Sequence, residues 1–151
     1  MIRVLVDSNV LLDFIARREW FAISRKLVVF AEMGDFELWM SPSQVSDVFY
    51  IASSRGKRSL AEPTKRTLRH LRKYVHVCTL GENDVDRALA SRWEDLEDAL
   101  VYQAAIGIGA DVILTRNKDD FELSSIPVMD AEEFFGWMEA EKGLIFEEIT
   151  W

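Results

Sequence analysis

The sequence predicts an α/β fold, a three-layer α/β/α sandwich with a short, mainly parallel central sheet. Two short, almost continuous apolar runs, Ile2 to Val6 and Val112 to Thr115, have the make-up of strands covered on both faces. Amphipathic segments of helix length alternate with strand-like ones along the chain. With 151 residues, 49% hydrophobic and 29% charged, the chain has the length and balance of one domain with a sizeable core.

Taken in order, the Ile2–Val6 strand is broken by Asp7-Ser8-Asn9, and Ser8 is placed to cap a helix carrying Val10, Leu11, Phe14 and Ile15. A second helix is predicted over Phe21–Met33 and stopped by Gly34. Leu38-Trp39-Met40 reads as a strand. Ser41-Pro42 then opens a helix that carries Val45, Val48, Phe49 and Ile51 and ends near Gly56. Ser59–Tyr74 is a basic helix and Val75–Leu80 a strand, followed by a helix over Glu82–Ser91. The next helix begins near Asp95, with Leu96, Ala99, Leu100, Gln103 and Ile106 as its apolar face and Gly107 and Gly109 at its end. Val112–Thr115, an edge strand at Pro127–Met129 and a helix over Ala131–Ala140 complete the pattern. No repeat, low-complexity tract or linker divides it, so residues 1–142 form a single domain and 143–151 an acidic, aromatic tail.

The apolar N-terminal run is too short for a signal peptide, and no stretch approaches the roughly 18 apolar residues of a membrane span. One cysteine, Cys78, permits no internal disulfide and suits a reducing compartment, so a cytoplasmic location is expected. The net charge of -8 argues at first against nucleic acid. Yet Arg55, Lys57, Arg58, Lys65, Arg66, Arg69, Arg72 and Lys73 face only Glu62 within their stretch, which is +7 locally against -15 elsewhere. Such a strip can give an acidic protein a basic face for phosphates; the plainer alternative is a solvated helix face or a surface for an acidic partner.

Open parallel sheets bind ligands beyond the carboxyl ends of their strands. Asp7 follows the first strand, Asp120 sits in the loop after Val112–Thr115, Asp98 lies in the first turn of the preceding helix, and Asp47 lies within the helix after the second strand. Each has a dull explanation. Asp7 can cap a helix, Asp95 with Asp98 resembles a capping pair, Asp119 and Asp120 suit a turn, and Asp47 can face water. Grouped carboxylates, however, raise one another's pKa unless a cation neutralises them, and Mg²⁺ or Mn²⁺ is the natural occupant of an all-oxygen site. His70 and His76 lack zinc-ligand spacing and are expected at the surface or in packing.

The segment Val4-Leu5-Val6-Asp7-Ser8-Asn9-Val10-Leu11-Leu12-Asp13 resembles the opening of PIN domains, a family that includes the VapC-type toxins of bacterial toxin–antitoxin pairs. Trp93 to Leu100 resembles the helix supplying a metal-site aspartate, and Ala110 to Asn117, continuing through Asp120-Phe121, resembles the family's last acidic loop. The resemblance covers about residues 2–135. It implies a metal-dependent endoribonuclease with Asp7, Asp98 and the loop acids in the site, Asp120 favoured over Asp119. Ser8, Asn9, Thr115 and Asn117 would hold ligands or waters. Many members carry glutamate in the third helix, where this chain has the shorter Asp47, as one subgroup does. Asn117 stands where some members have an acid.

From this follow the expectations that Asp7 and Asp98 ligate the metal directly, that Asp120 and Asp47 complete the site directly or through water, and that a metal-activated water attacks the phosphodiester in line. The same resemblance implies an antitoxin that fills the site and a homodimer. Exposed aromatics such as Trp20, Trp39 and Phe49 offer dimer contacts, although core packing is the first expectation for each. The alternatives are a catalytically degenerate PIN domain that binds RNA or protein, and a phosphoryl-transfer or receiver-like domain. Asn9, two residues after Asp7, argues against the dehalogenase-type phosphatase pattern.

Overall fold

The Arg3–Val6 strand (β1) puts Val4 and Val6 on one face and Leu5 on the other, and all three are buried. This alternation divides the apolar core into two layers. Val4 and Val6 join Leu38, Met40, Val75, Val112 and Leu114 beneath one set of helices. Leu5 joins Ile113, Val101, Ala104, Ala105 and Phe121 on the opposite face. The computed structural model describes residues 1–143, so the tail expected at 143–151 lies, Gly143 apart, outside the described residues.

The elements run β1, α1 (Ser8–Ile15), α2 (Phe21–Glu32), β2 (Glu37–Met40), α3 (Pro42–Ala52), a 3₁₀ turn (Arg58–Leu60) and α4 (Ala61–Leu71). They continue with β3 (Val75–Val77), α5 (Glu82–Ala90), α6 (Leu96–Ile108), β4 (Val112–Leu114), a 3₁₀ turn (Lys118–Phe121), β5 (Val128–Met129) and α7 (Ala131–Lys142). The five strands form one sheet in the order β3-β2-β1-β4-β5, every neighbouring pair parallel. The sandwich is as the sequence predicts, with a wholly parallel sheet.

Several boundaries differ, for local reasons. The cap of α1 is Asp7, not Ser8: the Asp7 carboxylate accepts from the Ser8 backbone N–H, which makes Ser8 the first helical residue. Helix α3 stops at Ala52 because Ser53 turns its hydroxyl back onto the Phe49 carbonyl and accepts from Gly56 N–H. The basic segment is a 3₁₀ turn followed by the shorter α4, and β3 ends at Val77. Gly107 lies inside α6, which ends at Gly109 in the left-handed conformation (φ +64) that glycine adopts without strain.

The buried side of α6 is not the face the apolar pattern suggests. Ala99, Val101, Ala104 and Ala105 are buried, whereas Leu96 and Ile106 are 46% and 48% exposed. The helix is apolar nearly all round, so periodicity does not select a face, and small side chains let it lie close against Leu5 and Ile113. Trp39 and Phe49 pack against the core as expected. Trp20 does not: it is 42% exposed at the start of α2.

Candidate active site

The strand order places β1 beside β4, and from this pair the chain moves outward in both directions, which opens a crevice at their carboxyl ends. Asp7 sits at that point. Its backbone N–H continues the ladder onto the Leu114 carbonyl, so the residue is held by the sheet itself. Its side chain is gripped on both oxygens: Oδ1 accepts from Ser8 N–H at 2.8 Å and Oδ2 from the Thr115 hydroxyl at 2.8 Å. Thr115, fully buried at the end of β4, also accepts from Asn117 N–H and so shapes the acidic loop.

Two further acids bear on Asp7. Burial pushes its carboxyl above the ordinary range, the bonds from Thr115 and Ser8 oppose this, and the charge of Asp120 raises it while that of Arg116 lowers it. Asp98, in the first turn of α6, is pushed up to about 7 by burial and by the charges of Asp95, Asp120 and Asp7. Asp95 is the cap of that helix, accepting from Asp98 N–H at 3.2 Å. Asp7, Asp98 and Asp120 therefore share one electrostatic neighbourhood. It is Asp120 whose charge reaches both others; Asp119 is among the acids acting on Lys118.

Asp47 has a different neighbour. Across the contact of α3 with α6 it lies against Glu97, whose carboxyl is pushed up to about 7 by burial, by Asp47, and by Asp95 and Asp98. Asp47 thus joins the acidic group through Glu97, a residue the sequence does not single out. Gln44 was also missed. Wholly buried within the Ser41–Gln44 capping box, it donates from Nε2 to the Val6 carbonyl at 2.6 Å and to the Ser8 hydroxyl at 3.4 Å. It braces the end of β1 immediately before Asp7. Asn9 is part-buried in the first turn of α1, and Asn117 is exposed, engaging Thr115 through its backbone.

A second missed pair lies beside the site. Asp13, 1% exposed, takes a two-pronged grip on Arg116, from Nε at 2.8 Å and Nη2 at 3.1 Å, with Arg18 at 3.6 Å. The sequence did contain a signal, a lone acid within the apolar turn Leu11-Leu12-Asp13-Phe14. Its partner is over a hundred residues away. The cation bearing on Asp7 is therefore Arg116 and not one of the eight in the basic strip. Among the described residues no ion pair joins those eight to the acids; Lys65 and Arg69 meet Glu62, and Arg72 donates to the Val75 carbonyl. His70 and His76 are exposed, with their rings against Tyr74 and Trp39.

Among the described residues no three Asp, Glu, His or Cys side chains are gathered tightly enough to hold a metal ion as they stand. The chemistry of the donor set does fit a hard divalent cation. The neighbouring groups offer carboxylate and hydroxyl oxygens, the charge is negative, and one carboxyl is raised to about 7 by burial and then by the repulsion of neighbouring acids, which a cation relieves.

A sheet of this order with acids at the carboxyl ends of β1 and β4 defines an acidic α/β domain. The family model described as "PIN domain" matches residues 3–119, and the chain belongs to that family. No curated protein matches it in sequence. Among solved structures, it is similar to VapBC2 from Rickettsia felis bound to a DNA fragment from their promoter (14% identity, TM-score 0.64, covering 85% of this chain and 98% of that one). It is also similar to VapBC-1 from nontypeable Haemophilus influenzae (18%, 0.62, 87% and 99%) and to a toxin–antitoxin complex from Klebsiella pneumoniae (19%, 0.60, 85% and 97%). At these identities the likeness is one of fold. Among the described residues no helix is long and apolar enough to cross a membrane.

Proposed function

We propose that this chain is a metal-dependent endoribonuclease and the toxin of a toxin–antitoxin pair. The observation that carries the reading is the convergence of Asp7, Asp98 and Asp120 at the β1/β4 crevice, with Asp98 raised to about 7 by burial and by the charges of Asp95, Asp120 and Asp7. Asp7, Asp98 and Asp120 would hold Mg²⁺ or Mn²⁺, with Asp47 contributing from the Glu97 side; the cation would supply charge neutralisation at the phosphate and a lowered pKa for a water, making it nucleophilic near neutral pH. Ser8 and Thr115 fix the Asp7 carboxylate, and Gln44 holds the strand end behind it. Arg116, anchored by Asp13, sets a positive charge beside the acids. The basic strip from Arg55 to Lys73 binds RNA backbone.

The similar solved structures include toxin–antitoxin complexes, which supports an antitoxin partner here, and we extend the reading to a homodimer in the cytoplasm. One observation favours the rival reading of a degenerate PIN domain that only binds RNA or protein: the acids are not closed into a metal cage. Cleavage of a mixed RNA pool with Mg²⁺ or Mn²⁺, by the parent and by Asp7→Asn, decides between them. Asparagine preserves an acceptor for Ser8 N–H and a partner for Thr115, so the fold should persist while cleavage is abolished. Equal cleavage by parent and variant overturns the site assignment; metal binding without cleavage by the parent supports the binder.

A further inference from the structure

A cavity of about 250 Å³ opens beside the acids, lined by Trp20, Ile23, Arg116, Asn117, Asp130, Ala131 and Glu132. Its wall starts close to the site. Arg116 and Asn117 directly follow Thr115, the residue that donates to Asp7, and two residues span at most about 7 Å.

The lining combines planar surfaces with hydrogen-bond acceptors. Trp20 is 42% exposed, unusual for an indole that nothing in the fold requires at the surface. The Arg116 guanidinium lies 5.8 Å from its ring centroid and is held in place by Asp13. Asp130 spends Oδ1 on capping α7 through Glu133 N–H, which leaves Oδ2 to accept; Glu132 and the Asn117 amide stand beside it. Charge selects the kind of ligand. Two carboxylates oppose one guanidinium that is already paired with Asp13, which disfavours a phosphate. A neutral planar group that stacks and donates N–H bonds is favoured.

We propose that this cavity is a base-binding subsite that receives a guanine of the RNA strand next to the scissile phosphate. Guanine stacks against Trp20 and Arg116, as single-stranded bases do on aromatic and guanidinium planes, and presents its adjacent N1–H and N2–H donors to the free Asp130 Oδ2. Uracil and adenine lack that donor pair. The position next to the cut rests on the nuclease reading above, whereas guanine binding in the cavity does not.

Two measurements keep the readings apart. In the first, GMP and UMP are titrated calorimetrically into the full chain without metal, and into Trp20→Ala and Asp130→Asn. GMP should bind more tightly than UMP, and Trp20→Ala should weaken it roughly five- to a hundredfold, the range for removing one stacking ring. Asp130→Asn, which still caps α7, should erase the preference for GMP over UMP. In the second, cut sites in a random-sequence RNA are mapped for the parent and Trp20→Ala; a guanine preference beside the cut should flatten in the variant. No GMP binding, or binding indifferent to both substitutions, overturns the subsite even if RNA is cleaved. GMP binding lost in Trp20→Ala sustains it even if no RNA is cleaved, in which case the nuclease reading is the one that falls.

Discussion

Replacing Asp98 by Asn should stabilise the metal-free protein, by an amount that grows with pH up to about 7. Its carboxyl is held at about 7 against an ordinary 3.8, chiefly by burial and then by the charges of Asp95, Asp120 and Asp7. Each tenfold change in proton affinity corresponds to about 1.4 kcal/mol, so a fully buried group with this shift would cost about 4 kcal/mol once ionised. Solvent at the half-buried Asp98 reduces that to about 1–2 kcal/mol. The variant also forfeits a favourable charge in the first turn of α6, about 0.5 kcal/mol. The net gain is about 1 kcal/mol, or a rise in Tm of about 2–4 °C for a chain of this size. The sign follows from linkage. A folded-state pKa above the unfolded one penalises the fold progressively as pH rises from about 3.8 to about 7; the penalty is complete above that range and absent below it, where the acid is protonated in both states. Thermal melts followed by circular dichroism in EDTA should therefore show the variant more stable at pH 8, with the advantage reduced to less than half at pH 5 and vanishing toward pH 4. Mn²⁺ added at pH 8 should raise the Tm of the parent more than that of the variant. An Asp98→Asn protein no more stable at pH 8 than the parent refutes the picture of three mutually repelling acids.

Thr115→Val keeps the shape of a wholly buried residue but removes the donor to Asp7 and the acceptor for Asn117 N–H. Urea unfolding should show a loss of about 1–3 kcal/mol. Asp13→Asn leaves Arg116 and Arg18 without their shared carboxylate; with the Arg116 side chain 29% exposed, the loss should be about 2 kcal/mol, measured by guanidinium unfolding. Lys65→Glu together with Arg66→Glu, in an Asp7→Asn background, should leave the melting temperature unchanged, since both side chains are exposed. It should weaken RNA binding and lower the salt slope by about 2, and an unchanged slope would place the RNA backbone elsewhere.

Much of the molecule was readable from residue order because the decisive cues are local. A continuous apolar run ended by Asp7-Ser8-Asn9 announces a buried parallel strand and the acid at its end, whichever helices cover it. Ser41-Pro42 with Gln44 announces the start of α3. Asp95 announces α6 in the same way. The Asp120 loop directly follows a strand, so its closeness to Asp7 needed only the two strands to be neighbours.

What the sequence alone determined, then, is the alternation of strands and helices, the placing of Asp7 and Asp120 just after strands and that of Asp98 in the first turn of a helix, since capping and periodicity act within a few residues. Tertiary structure decided the rest. It set β1 beside β4, turned the alanine face of α6 inward, paired Asp47 with Glu97, and locked Asp13 onto Arg116. It also left Trp20 at the rim of a cavity instead of in the core. Each of these depends on side chains far apart in the chain competing for one volume or one charge, and such competition is settled only when the layers close.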